Sequence, residues 1–315
     1  MNTLNNLMNE VYAGNGVQSH NSMALSNEVI TVESDDVPEN INGGKFDPYA
    51  EIEIKTLKND DGYLSNKRNI RVKPINQSGY LEAGVVGPNY LLIKNSKVSE
   101  VCSEIRANTG MQWEHDRIFF DGKRFRNVYR TQQFSKELAS GDIAYLMFTE
   151  QNSFDGSMTA GFRVDFMILS CLNGMVSPKY GWDVNFRHTL GSVQDWETEI
   201  INGAQSLTGH RAEHRLKAFA EACDTLNTRL DMDMLSDIRK QHIPKLPPLR
   251  YGEILTKFHN TGGTTVWDLM QAGTNTIWHR PQREQKVTNA DFTNNGVFVD
   301  GLLKYGKSQN LAGIS

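Results

Sequence analysis

Between Asp116 and Ser170, four strand-length segments separated by turn signals constrain the fold of this chain most strongly. Asp116–Phe120 and Phe125–Arg130 flank Asp121-Gly122-Lys123-Arg124, and Asp-Gly between alternating strands is a hairpin signal. Ile143–Thr149 is an apolar run of strand length. Phe154-Asp155-Gly156-Ser157 turns the chain into a strand over Gly161–Ser170, and Asn173-Gly174 closes a second turn. Strands joined by such tight turns pair antiparallel, because a parallel partner needs a long crossover.

The flanking sequence completes the pattern. Tyr49–Leu57, Asn69–Val72 and Tyr90–Ile93 read as strands, with a turn at Asn59-Asp60-Asp61-Gly62. Over Val98–Asn108, the residues Val98, Val101, Cys102 and Ile105 fall on one helical face, and Gly110 ends the helix. From Asp195 the period becomes helical through 195–230, then again over Asp231–Gln241, Tyr251–Phe258 and Thr265–Ala272. Thr264-Thr265 caps the last of these, and Pro244–Pro248 is a rigid turn. Strands first and helices after predict an α+β fold, a mostly antiparallel sheet with β-hairpins covered by helices. Residues 1–48 read as a flexible acidic arm with a short helix at 3–12, residues 49–280 as one core domain, and residues 281–315 as a polar, loosely held tail.

The 315 residues and net charge of -4 suit a folded chain of ordinary composition. No apolar run reaches the roughly 18 residues of a membrane span. The N-terminus lacks the basic and apolar regions of a secretory signal. Cys102, Cys171 and Cys223 are far apart and form no CxxC pair, so a reducing cytoplasm is the expected location and no membrane partner is expected.

The mild net charge hides an asymmetry. Residues 1–61 hold eleven acids and three bases, whereas residues 67–130 hold twelve bases and six acids. Three basic groups stand out. Arg117, Lys123, Arg124, Arg126 and Arg130 lie on or beside one hairpin with the aromatics Phe125 and Tyr129. Lys67, Arg68, Arg71 and Lys73 form a second group, and Arg163, Arg187 and His188 a third. In a strand of period two, Arg124, Arg126 and, with a bend, Arg130 project to one side while Phe125 opposes them. Cations that track a phosphate backbone, with aromatics to stack on bases, are what single-strand binding requires. A wet, charged outer face of a strand pair is the plain structural alternative.

No complete catalytic constellation is present. The chain has neither GxxxxGK[ST] nor GxGxxG after a strand. Gly262-Gly263-Thr264 before a helix offers an anion site at the helix N-terminus. His210 and His214 stand at i, i+4, but HRAEH places Glu213 away from the metalloprotease base position. Cys171 or Ser157 with His188 would make a nucleophile pair only if the fold brought them together, and Asp155, Asp165 and Asp183 could face a divalent metal on the same condition. The expectation is a protein without cofactor that is not an enzyme.

The motifs Asn152-Ser153-Phe154-Asp155-Gly156-Ser157, Gly161-Phe162, Ser170-Cys171-Leu172-Asn173-Gly174-Met175-Val176 and Arg187-His188-Thr189 occur in that order. Val86-Gly87-Pro88-Asn89-Tyr90 with Asn95 precedes them. Thr264-Thr265-Val266-Trp267-Asp268-Leu269, with Ala272, Thr274 and His279, follows. Over roughly residues 80–280 this set resembles the phage/plasmid-like proteins of domain-of-unknown-function family 932. Phe154 departs from that pattern, which often has His there. The resemblance implies a non-structural phage role in DNA metabolism or in dealing with the host, and no settled activity.

Hairpins followed by a long helix, with basic strands, are similar to the single-strand annealing proteins of phage recombination, which use neither ATP nor metal and form rings or filaments. That likeness is one of fold level. The resulting expectation is a phage-encoded single-stranded DNA-binding protein, an annealing protein of recombination or replication that works as a homo-oligomer alongside host or phage replication proteins. The alternative is a host-takeover or anti-defence protein that binds a host protein through its acidic arm.

Overall fold

A computed structural model describes residues 29–30, 46–58, 64–76, 78–168, 173–175, 177, 179–189, 210–278 and 289–312. The fold is α+β, with two antiparallel sheets and a helical layer. The first sheet holds β1 (Val29–Ile30), β2 (Ile52–Lys58), β3 (Leu64–Val72) and β4 (Leu81–Val86) in that order. The second holds β5 (Glu114–Phe120), β6 (Arg124–Glu137), β7 (Ile143–Ser153), β8 (Ala160–Ile168), β9 (Asn173–Met175) and β10 (Trp182–Phe186). Its order is β10-β8-β7-β6-β5, and β9 also pairs with β8. The hairpin at Asp121 forms as its sequence requires: Gly122 sits at φ 88°, and the Asp121 carboxylate accepts from the Lys123 and Arg124 amides.

Helix α1 (Asn95–Asn108) lies between the sheets in sequence and buries Val98, Val101, Cys102 and Ile105, the face its periodicity foretells. It covers one side of the second sheet, where Ala144, Leu146 and Phe148 of β7 meet Phe162, Val164 and Phe166 of β8. Helix α2 (His210–Asp224) packs on the same side through Phe219, whose ring stacks on Phe166 at 4.1 Å. A 3-10 turn (Thr225–Asn227), α3 (Met232–Asp237), a π-helical segment (Ile238–His242), α4 (Pro248–Asn260), α5 (Val266–Trp278) and α6 (Asn289–Ala312) follow. The first sheet packs on the second through a separate apolar cluster of Ile52, Ile70, Val72, Ala83 and Val86 against Ile118, Phe120, Phe125 and Phe154.

Several expectations need correction. The stretch expected to be a loose tail contains α6, whose Phe298, Val299, Leu302, Leu303 and Tyr305 belong to the main core. Each such side chain contributes roughly 1.5–3 kcal/mol by burial, more than the local Asn and Gly content costs. The Phe298 ring lies so close to Gly273 of α5 that a Cβ there would come within 2.0 Å. Tyr90–Ile93 is not a strand: Tyr90 makes a single bridge to Thr189, and the Leu91 amide goes to the His188 carbonyl. Asn173-Gly174 is not a turn but part of β9, paired with Ile168 and Met167. Strand β4 carried no clear alternation and escaped the reading of the sequence. Val29–Ile30 of the expected arm pairs with β2. The proposed helix at 3–12, the turn at 59–62 and the helical stretch 195–209 lie outside the described residues.

Candidate functional site

The register of the second sheet sorts the basic residues by face. Arg126 stands opposite Gln151, Val128 opposite Thr149 and Arg130 opposite Met147. Thr149 in turn faces Arg163 of β8, and Arg117 of β5 faces Val128. Arg117, Arg124, Arg126, Arg130 and Arg163 therefore share the side of the sheet away from α1, and Phe125 points the other way. Arg126 is the most buried of them. Burial, helped by the charges of Arg163 and Arg124, pushes its guanidinium down to about 9, while Asp121 and Asp291 act in the opposite sense. The Thr149 hydroxyl among these arginines is buried without a hydrogen-bond partner.

Most of the predicted cations are already paired. Arg71 meets Glu53, Lys73 meets Glu51, Arg130 meets Glu114 at 3.2 Å, and Arg117 pairs with its neighbour Asp116. Arg163 bonds the fully buried Asp165 carboxylate through two nitrogens, at 2.6 and 3.3 Å. Arg68 donates to the carbonyls of Pro88 and Tyr90. Lys67, Lys123 and Arg187 are exposed, and half-buried Arg124 donates to the Ser157 hydroxyl at 2.9 Å. Two further expectations fail. Phe125 is fully buried in the cluster between the sheets, so it cannot stack on a base. Tyr129 is covered by the Arg106 guanidinium, 3.6 Å from its ring centre.

The motif residues converge on a seam between the sheets. Asn152 donates to the Ile93 carbonyl and to Asn95 Oδ1, both at 2.8 Å, and Asn95 donates to the Pro48 carbonyl. The Tyr90 hydroxyl donates to the Ser153 carbonyl, and its ring stacks on His188 at 4.9 Å. His188 Nδ1 donates to the Leu91 carbonyl at 3.1 Å, and burial lowers its pKa, which keeps the imidazole neutral at pH 7. Phe154 packs edge-to-face on Phe120 in the inter-sheet core. These bonds tie the two sheets together at the seam, while His188 Nε2 and Asn152 Oδ1 are buried there without a hydrogen-bond partner.

The Ser157 hydroxyl accepts from Arg124, His188 Nδ1 donates to the Leu91 carbonyl while its Nε2 has no hydrogen-bond partner, and Cys171 lies outside the described residues. Among the described residues no three His, Cys, Asp or Glu side chains gather to hold a metal ion. At the Gly262-Gly263-Thr264 loop a cleft of about 390 Å³ opens beside Lys257, Thr261 and Gln271. The helix N-terminus there is already occupied: Asp268 accepts from the Thr264 and Thr265 amides and from the Thr265 hydroxyl, each at 2.9 Å. An anion finds its donors taken.

One cluster was not legible in the sequence. Lys179, Arg215 and Lys307, from a loop and two helices, gather around Tyr180 and Trp182. Their spacing of 36 and 92 positions leaves no linear signal; only the tandem Lys179-Tyr180 hints at it. Among the described residues no helix is long and apolar enough to cross a membrane. No family model, no curated protein and no solved structure matches the chain.

Proposed function

We propose that this chain binds single-stranded nucleic acid along the arginine-bearing face of its second sheet. The observation that carries the reading is the grouping of Arg124, Arg126 and Arg163 on one face, close enough for the charges of the other two to depress Arg126. Asp165 neutralises Arg163, and Asp121 and Asp291 offset part of the repulsion at Arg126, so Lys123 and Arg124 at the open end of this face are the groups a phosphate would meet first, and phosphate is the anion that guanidinium groups match best. The hairpin tip, exposed Lys123 with half-buried Arg124, extends the same face outward. With Phe125 and Tyr129 removed from the interface, affinity on this reading comes from phosphates, and base stacking on the hairpin contributes nothing. Single-strand annealing by a homo-oligomer of phage origin, which the hairpin-and-helix architecture with basic strands suggests by fold-level analogy, is the specific activity we propose within this class.

The test is fluorescence anisotropy with a labelled single strand and the matching duplex. Salt-sensitive binding that favours the single strand is the expected result. Equal or stronger binding of the duplex would overturn the single-strand reading, and no binding at low salt would overturn nucleic-acid binding altogether.

A further inference from the structure

Beside β10, three cations from distant parts of the chain meet on two aromatic rings. The Lys179 and Lys307 ammonium groups lie 5.5 and 5.3 Å from the centre of the Tyr180 ring. The Arg215 guanidinium of α2 lies 5.0 Å from the centre of Trp182, and its Nη1 donates to the carbonyls of Tyr180 and Gly181 at 3.1 and 2.9 Å. Lys179 and Arg215 are exposed and Lys307 is half-buried. Arg71, Arg117, Arg130 and Arg163 are neutralised by carboxylates, but none of these three closes an ion pair among the described residues. The nearby Asp300 carboxylate accepts from the Ser177 hydroxyl at 2.5 Å and the Lys179 amide at 3.3 Å, and it also feels the Lys179 charge without pairing with its ammonium group.

Cation–π contacts of this kind contribute about 0.5–1 kcal/mol each at exposed sites, which holds the side chains against the rings without neutralising their charge. The Tyr180 hydroxyl and the Trp182 indole nitrogen are buried without a hydrogen-bond partner, and Tyr180 is only 7% exposed. Strand alternation relates the cluster to the arginine face. Asp183 stands opposite Arg163, so its neighbour Trp182, opposite Val164, lies on the other side of β10.

We propose that Lys179, Lys307 and Arg215 form a second phosphate-contacting site for single-stranded nucleic acid, reached by a strand that leaves the arginine face and turns round the β10 edge. This inference rests on the nucleic-acid reading above and extends it to residues that reading does not use. Arg215 is held against Trp182 as a fixed donor, and the two lysines supply mobile charge. The tight turn round an edge suits a flexible single strand; a stiff duplex, with a persistence length near 150 base pairs, does not follow it.

The test compares the full chain with its Lys179→Gln/Lys307→Gln variant, using a labelled oligothymidylate across a salt series. Loss of two phosphate contacts lowers the slope of log K against log salt by about 1.4 and weakens binding about 25-fold at roughly 0.1 M salt. Duplex affinity is expected to change far less. A Lys217→Gln control, on the exposed face of α2, leaves the slope unchanged. If the wild type binds and the double variant keeps its slope, the second site is wrong while the nucleic-acid reading stands. If the wild type fails to bind, both fall. If the variant instead loses binding to phosphatidylserine vesicles with its DNA slope intact, the cluster serves a lipid surface and the inference is overturned. Should the double variant melt early, exposed Lys179→Gln alone carries the test, with a slope change of about 0.7.

Discussion

Arg106 of α1 and Glu150 of β7 form an ion pair whose carboxylate is fully buried. Ser99 and Asn127 also donate to Glu150, at 2.7 and 3.1 Å, so its lone pairs are filled. Even so, burial holds the Glu150 carboxyl above its ordinary value. Removing one partner of such a pair strands the other. Arg106→Ala is therefore expected to cost about 3–5 kcal/mol, read from denaturant unfolding, against much less for Arg106→Met combined with Glu150→Leu. The pH dependence has a definite sign. A carboxyl raised in the folded state contributes most to stability below its unfolded pKa, and that contribution is lost as pH rises through the folded value. Since Arg106 is the largest opposing influence, the Arg106→Ala variant should lose stability with rising pH more steeply than the wild type.

Helix α6 is held by fit as well as by burial. Phe298→Ala is expected to destabilise the chain by about 3–5 kcal/mol, and Gly273→Ala by about 1–3 kcal/mol, through the cavity and the clash respectively. Thermal melts of both variants check this. Wild-type stability in either would mean that α6 does not pack on α5 through these residues.

Asp268 closes the cap of α5. Although partial burial raises it, hydrogen bonds from Thr264 and Thr265 hold its carboxyl below the ordinary value. A depressed carboxyl stabilises the fold above its unfolded pKa and ceases to do so as pH falls through the folded one. Asp268→Ala should cost about 1 kcal/mol near neutral pH and progressively less in acid. A difference between wild type and variant that stays constant down to acid pH would contradict the cap.

Local signals were legible where they were strong. The Asp121-Gly122 hairpin, the apolar face of α1 and the Thr265 cap each follow from residues adjacent in sequence or one helical turn apart. What escaped depends on partners remote in sequence. Residues 289–312 look polar until Phe298 finds Gly273, and β9 exists because β8 offers it an edge. The charge pattern misled in a specific way. Counting Arg71, Lys73, Arg117 and Arg130 as free cations overlooks the acids that cross-strand register and local geometry set beside them, and Phe125 alternates into the core because its arginine neighbours alternate out. The cluster at Lys179, Arg215 and Lys307 is assembled only by tertiary structure.

The most direct measurement is the salt dependence of single-strand binding in the wild type and in Lys123→Gln/Arg124→Gln, which removes charge at the hairpin tip and leaves the buried Arg126 side chain in place. If the arginine face contacts phosphates, the slope of log K against log salt falls by about 1.4 and binding weakens about equally for all sequences. An unchanged slope, with the fold intact, would contradict the assignment of that face.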